Sequence, residues 1–291
     1  MGRQNGQAEE VIMSQEISID SLLEEIQKST SDTTEYEPVA FFDADHTLWA
    51  GDLGDVVART AMNQGLLKPE AKDILAQILN RSGGESTGEP NADALALMKQ
   101  YFQDKVTEND IISAQVVCYA GWTTKELFDF ALEIFDREFE PKIYEDIPRL
   151  HEALRTAGFK IKVISGSPHW VVEAAATRLG IEKADVAGAR AHVQDEIITA
   201  DMQLPVTYKD GKVEVMSHWI GDKQAFIAFG DSKSDYPMQE RSKIRVAVNP
   251  RPGVRRYAAE NDPSSWRLWV PEKTRDGIAV ERIDSDRVIT E

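Results

Sequence analysis

The chain has 291 residues, with 50 acidic against 33 basic side chains, a formal net charge of −17, and 42% apolar residues. That length gives one large domain or two ordinary ones with enough apolar material for a packed core. The acidic balance argues against nucleic acid or an anionic membrane as the main partner.

A single cysteine, Cys118, rules out an internal disulfide and fits a reducing compartment. No stretch approaches 18 continuous apolar residues, and MGRQNGQAEEVIMSQ at the N-terminus has no apolar run before a cleavage site. The expectation is a soluble, cytoplasmic protein with neither membrane span nor signal peptide. Residues 1–37 read as a polar tail. Within it, SIDSLLEEIQK places Ile19, Leu22, Leu23 and Ile26 at helical spacing, with Ser18 or Asp20 able to cap.

Glu37 to Phe42 reads as a buried strand that runs into Asp43. From Asp52 to Phe139 the apolar spacing is helical, predicting helices over 53–64, 68–79, 92–103, 109–117 and 124–139. RSGGESTGEPN, residues 81–91, is a loop by its Gly, Ser and Pro content. The pattern then alternates. A helix over 147–157 ends at Gly158 and a strand covers 160–164. A helix over 170–179 follows, then a strand over 184–191 and a helix over 213–219. A strand over 225–229, a short helix over 235–240 and a strand over 244–248 complete the series. Strands alternating with helices imply an α/β fold with a parallel sheet. The segment after Asn261, with Trp266 and Trp269, is left unplaced.

The helical stretch leaves the α/β part directly after FFDADHTLW, residues 41–49. In such sheets ligands bind beyond the carboxyl ends of the strands. Asp43 and Asp45, two apart in an extended segment, face one side. Two close carboxylates repel unless a cation or a shared proton offsets them. Three further candidate strand or helix ends carry Ser165-Gly166-Ser167, Lys209-Asp210-Gly211-Lys212, and Gly230-Asp231-Ser232-Lys233-Ser234-Asp235. A calcium loop counted from Asp43 fails, because positions 6 and 12 are Leu48 and Gly54 where Gly and Glu are needed. Taken singly, DADHT and SGS also read as ordinary turns, and GDSKSD as a helix cap.

The ordered set DADHT, SGS, a lysine and GDSKSD resembles the haloacid-dehalogenase superfamily of phosphotransferases, over roughly residues 38–250, and within it the phosphoserine-phosphatase-like branch. The resemblance implies a Rossmann-like parallel sheet core (38–51 and 140–291) with an inserted all-helical cap domain (52–139). It implies a Mg²⁺-dependent phosphomonoester hydrolase acting on a small-molecule substrate. Asp43 would be the nucleophile that forms an aspartyl phosphate, and Asp45 the general acid and base. Mg²⁺ would be held by Asp43, the Asp45 backbone carbonyl and Asp231, with Asp235 supporting from behind. Ser165 and the Gly166 amide would hold phosphate oxygens, and Lys212 would neutralise charge, with Lys209 as the alternative lysine.

For the substrate, the phosphoserine phosphatases carry a glutamate near the position of Asp52 that holds an ammonium, so an amine-bearing phosphate such as a phosphoserine-like or phosphocholine-like ester is implied. Asp52 reads equally as a helix N-cap before Leu53. Trp49 and Trp122 read either as an aromatic cage for a quaternary ammonium or as core packing. Other functions share these motifs. A phosphotransferase or mutase would use the same nucleophile, and a binding protein would keep a relic of the site. A dehalogenase needs neither Asp45 nor Asp231.

Overall fold

The computed structural model describes residues 16–29 and 35–283. Parts of the N-terminal tail, 1–15 and 30–34, and the last eight residues lie outside them. Among the described residues no helix is long and apolar enough to cross a membrane.

In chain order the elements are α1 (Ile19–Lys28), β1 (Tyr36–Phe42), α2 (Leu53–Asn63), α3 (Lys72–Arg81), α4 (Pro90–Tyr101), α5 (Glu108–Val117) and α6 (Thr124–Ile134). They continue with α7 (Ile147–Thr156), β2 (Lys160–Pro168), α8 (His169–Thr177), β3 (Val186–Gln194), β4 (Ile197–Gln203) and α9 (Asp210–Ile220). The last are β5 (Gln224–Gly230), α10 (Tyr236–Glu240), β6 (Ser242–Val248), α11 (Pro252–Glu260) and β7 (Trp266–Trp269).

The chain divides into two compact units. One comprises the described residues of Met1–Gly51, Glu140–Ile164 and Lys209–Glu291. Its sheet runs in the order β2-β1-β5-β6-β7, and every neighbouring pair is parallel. Val39 to Phe42 are buried because helices cover both faces of such a sheet, which is why β1 is apolar without alternation. Phe42 stacks on Phe229 of β5 with ring centres 4.2 Å apart. On one face Val39, Phe41, Met216, Ile220 and Met238 form a common core. Lys162 lies within the sheet, and its ammonium sits 4.6 Å from the centre of the Trp219 ring, a cation–π contact that offsets part of its burial. The helix α1 buries Leu22, Leu23 and Ile26 and is capped by Ser18, whose hydroxyl accepts from the Ser21 amide. Glu25 fastens it by a bidentate pair with Arg267 at 2.6 and 2.8 Å.

The other unit comprises Asp52–Phe139 and Ser165–Tyr208. It holds α2 to α6, α8 and an antiparallel pair, β3 with β4. The strand β4 escapes a sequence reading for a local reason. Its connection to β3 is the two-residue turn Asp195-Glu196 with φ of 50° and 66°, a left-handed pair that Asn-Gly would normally announce. The helix expected over 124–139 stops at Ile134 and continues as a wider π turn over Phe135–Phe139, with both phenylalanines buried. A capping box holds its start, since Thr123 accepts from the Glu126 amide while Glu126 accepts from the Thr123 amide. In the first unit, the tail left unplaced by sequence supplies β7, which pairs with β6 and buries Trp266 and Trp269.

Candidate active site

Parallel pairing of β1 with β5 sets the first unit's site. Phe42 lies opposite Phe229, and the Asp43 amide donates to the Phe229 carbonyl at 2.9 Å. Asp43 therefore stands just past the carboxyl end of β1, and Asp231 just past that of β5. Asp235 follows one turn later as the N-cap of α10. Carboxylate oxygens of Asp43, Asp231 and Asp235 all lie within 4.8 Å of one another, and all three residues are buried.

Between two of these acids sits Lys212, from the first turn of α9. Its ammonium donates to Asp43 Oδ1 at 2.6 Å and to Asp235 Oδ1 at 2.5 Å, and the residue is 1% exposed. Lys209, the alternative, is exposed and occupies the N-cap of the same helix with φ 50°. Asp235 Oδ2 accepts from the Ser232 amide at 3.1 Å and from its hydroxyl at 3.2 Å.

Asp45 is 9% exposed, and its Oδ1 accepts from the Trp49 indole at 3.0 Å. The chain turns sharply after Asp45. His46 adopts φ 58°, and the Leu48 amide returns to the Ala44 carbonyl at 2.8 Å. The Tyr144 hydroxyl donates to the His46 carbonyl at 3.2 Å and steadies this turn. His46 itself is held neutral, its pKa pushed down to about 4 by burial and by the nearby Arg251.

Charge is badly balanced here. Burial, joined by Asp235 and Asp45 and opposed by Lys212, pushes the Asp43 carboxyl up to about 7. Burial, then Asp235 and Asp43, hold the Asp231 carboxyl well above the usual carboxylate range. Burial works against the Lys212 ammonium, yet Asp235 and Asp43 outweigh it and keep its pKa above that of an ordinary lysine. Lys212 and Arg251 together do not offset this surplus of buried carboxylate, since Asp43 and Asp231 both stay raised. An all-oxygen donor set with this surplus of negative charge fits a hard divalent cation such as Mg²⁺.

Gly230 is a sequence signal easily passed over. A Cβ there would fall 2.5 to 2.7 Å from Asp235 Cβ, Cγ and Oδ2. Gly230→Ala is therefore expected to displace Asp235 from Lys212 and to cut turnover at least about 10-fold while the sheet still folds. Steady-state kinetics beside a thermal melt checks this, and an unaltered kcat would contradict it.

In the second unit, Ser165 is 1% exposed; its hydroxyl accepts from the Ser167 amide at 3.1 Å, and its carbonyl accepts from the Thr207 hydroxyl at 2.5 Å. Thr207 was not singled out from the sequence, because nothing local links it to a residue 42 positions away. Asp52 is the N-cap of α2, its Oδ1 accepting from the Asp55 amide at 2.7 Å. Trp49 is fully buried in the first unit and bonded to Asp45, whereas Trp122 of the second is 6% exposed, donates to the Leu66 carbonyl at 3.3 Å, and meets Tyr119 and Phe130 edge-on. Both pack as core residues.

Comparison with known proteins agrees with this layout. Residues 40–240 match the family described as haloacid dehalogenase-like hydrolase. The chain is 26% identical over 226 residues to the "Inhibition of morphological differentiation protein" of Streptomyces azureus, covering 75% of this chain and 74% of that one. It is 30% identical over 110 residues to a phosphoserine phosphatase of Streptococcus thermophilus, a match that spans 36% of this chain and only 50% of the relative. A solved structure of a protein of unknown function from Bordetella pertussis Tohama I shares the fold with a TM-score of 0.58 at 21% identity, covering 79% of this chain and 97% of that one. With the family match spanning more than half of its length, the chain belongs to the haloacid dehalogenase-like hydrolases and is an enzyme.

Proposed function

We propose that this phosphatase hydrolyses a small, amine-bearing phosphomonoester through a covalent phosphate on Asp43. The observation that carries the reading is the buried group of Asp43, Lys212, Asp235 and Asp231 at adjoining strand ends.

In the first half-reaction an Asp43 carboxylate oxygen attacks phosphorus, and the bond from phosphorus to the ester oxygen breaks. The protonated Asp45 carboxyl gives its proton to the departing alkoxide. In the second half, the Asp45 carboxylate takes a proton from water. The water oxygen attacks phosphorus, and the bond to Asp43 breaks, releasing phosphate. Trp49 holds Asp45 Oδ1, so the other oxygen does the proton transfer. Lys212 fixes the rotamer of Asp43 and spreads its charge. Ser165 and the Gly166 amide are assigned to the phosphate oxygens. Mg²⁺, held by the carboxylates of Asp43 and Asp231 and the Asp45 carbonyl with Asp235 behind, would shield phosphate from the repulsion of the acids.

The test is phosphate release from a panel of phosphomonoesters, with Mg²⁺ or with EDTA. Turnover that requires Mg²⁺ and is restored when it is added back after chelation is the expected result. Equal rates with EDTA would overturn the metal assignment, and no release from any ester by folded, Mg²⁺-supplied protein would overturn the hydrolase reading.

A further inference from the structure

The segment after Asn261 does more than supply β7. Past Trp269, still within the first unit, it forms a hairpin over residues 272–280. The Val280 amide donates to the Glu272 carbonyl at 2.9 Å, Lys273 pairs antiparallel with Ala279, and the Thr274 amide donates to the Ile278 carbonyl at 3.0 Å. Gly277, with φ 82°, makes the tip. Asn249, just past the end of β6, holds the far end, its Nδ2 donating to the Glu281 carbonyl at 2.9 Å.

This hairpin pairs with residues 140–145. The Arg275 amide donates to the Ile143 carbonyl at 2.9 Å, the Asp276 amide to the Pro141 carbonyl at 3.1 Å, and the Glu145 amide to the Lys273 carbonyl at 3.0 Å. An ion pair of Arg275 with Glu140 closes the contact. The opposite edge of residues 142–144 pairs with 48–50. There the Ala50 amide donates to the Lys142 carbonyl at 3.0 Å, the Tyr144 amide donates to the Leu48 carbonyl at 3.2 Å, and Trp49 pairs antiparallel with Ile143. Residues 142–144 are thus the middle of a three-ply ladder. Its outer plies are the hairpin and the turn that follows Asp45. Leu48, Trp49, Ile143, Tyr144 and Thr274 are all buried in it.

The turn needs such support. His46 is held at φ 58°, a left-handed conformation that a non-glycine residue keeps only where its surroundings over-determine it. Tyr144 reaches the turn twice, by its amide to Leu48 and by its hydroxyl to the His46 carbonyl at 3.2 Å. We infer that the C-terminal hairpin is a brace for Asp45, and that Tyr144 is the positioning residue through which it acts. The inference rests on the reading of Asp45 as general acid and base. Tyr144 exchanges no proton itself; it fixes the peptide that follows Asp45. Misplacing a reacting group by about 1 Å can cost about 100-fold. The brace therefore serves the steps in which Asp45 moves a proton. It does not serve attack by Asp43, which is set by β5 and Lys212.

Two esters separate these steps in single-turnover experiments with Mg²⁺. The phenoxide of phenyl phosphate leaves well only with a proton, whereas the leaving group of 2,4-dinitrophenyl phosphate departs without one. Tyr144→Phe removes only the hydroxyl. Gly277→Ala strains the tip without crowding it, since a Cβ there has no atom within 4 Å. Gly277→Asn tolerates the left-handed backbone and is the rescue. Phenol release is expected to slow at least about 10-fold in Tyr144→Phe and about 3-fold in Gly277→Ala, while dinitrophenol release changes less than about 2-fold and Gly277→Asn matches the parent. Asp45→Asn should show the same pattern, larger. If Asp45→Asn discriminates between the esters but Tyr144→Phe slows both equally or neither, the brace is overturned and the reading of Asp45 stands. If Asp45→Asn does not discriminate, that reading fails and the brace fails with it.

Discussion

Asp43→Asn is expected to lower phosphate release by about 10⁴ to 10⁶-fold, the range seen when a residue central to a covalent mechanism is removed. An amide of the same shape keeps a carbonyl oxygen for the Lys212 ammonium, now 2.6 Å from Asp43 Oδ1. It has no anionic oxygen to attack phosphorus. The substitution also removes one of three buried acids within 4.8 Å of each other, so the metal-free protein should be no less stable, and above neutral pH more so. Loss of activity with a retained or raised Tm separates a missing nucleophile from a misfolded chain. Residual turnover above about 1% of the parent would place the nucleophile elsewhere.

Much of this site was legible because each acid sits at a boundary that the sequence marks. Apolar runs end at Asp43 and at Gly230-Asp231, and a parallel sheet brings neighbouring strand ends together whatever lies between them in sequence. The resemblance favoured Lys212, three residues from the alternative Lys209, and the start of α9 leaves Lys209 exposed at the cap and Lys212 buried in the first turn. The tryptophans were ambiguous because an indole suits a cage and a core equally well; both side chains are buried. The strand β4 was hidden by a turn whose backbone is left-handed and whose residues are not glycine.

Lys212→Met is expected to cost about 3 to 5 kcal/mol of stability in the metal-free protein at pH 8, the penalty for removing one partner of a buried ion pair. Methionine keeps the length of the side chain and fills the same space, so the loss is electrostatic rather than a cavity. Its pH dependence gives the mechanism. With Lys212 present, the Asp43 carboxyl titrates near 7 in the folded chain, above the 3.8 of an ordinary aspartate. The folded state then binds more protons than the unfolded state between those values, so stability falls as pH rises through that window and is regained on acidification. Lys212 is the group that opposes this shift, and without it Asp43 must take up a proton at still higher pH. The deficit of Lys212→Met relative to the parent should therefore be largest above pH 8 and shrink as Asp43 protonates. Added Mg²⁺ should recover part of it at high pH, because a cation among Asp43, Asp231 and Asp235 supplies the missing positive charge. Urea melts at pH 6 and pH 8.5, with Mg²⁺ or with EDTA, would measure all four corners. A deficit independent of both pH and metal would mean that Lys212 serves packing, and that the acids are stabilised by something other than its charge.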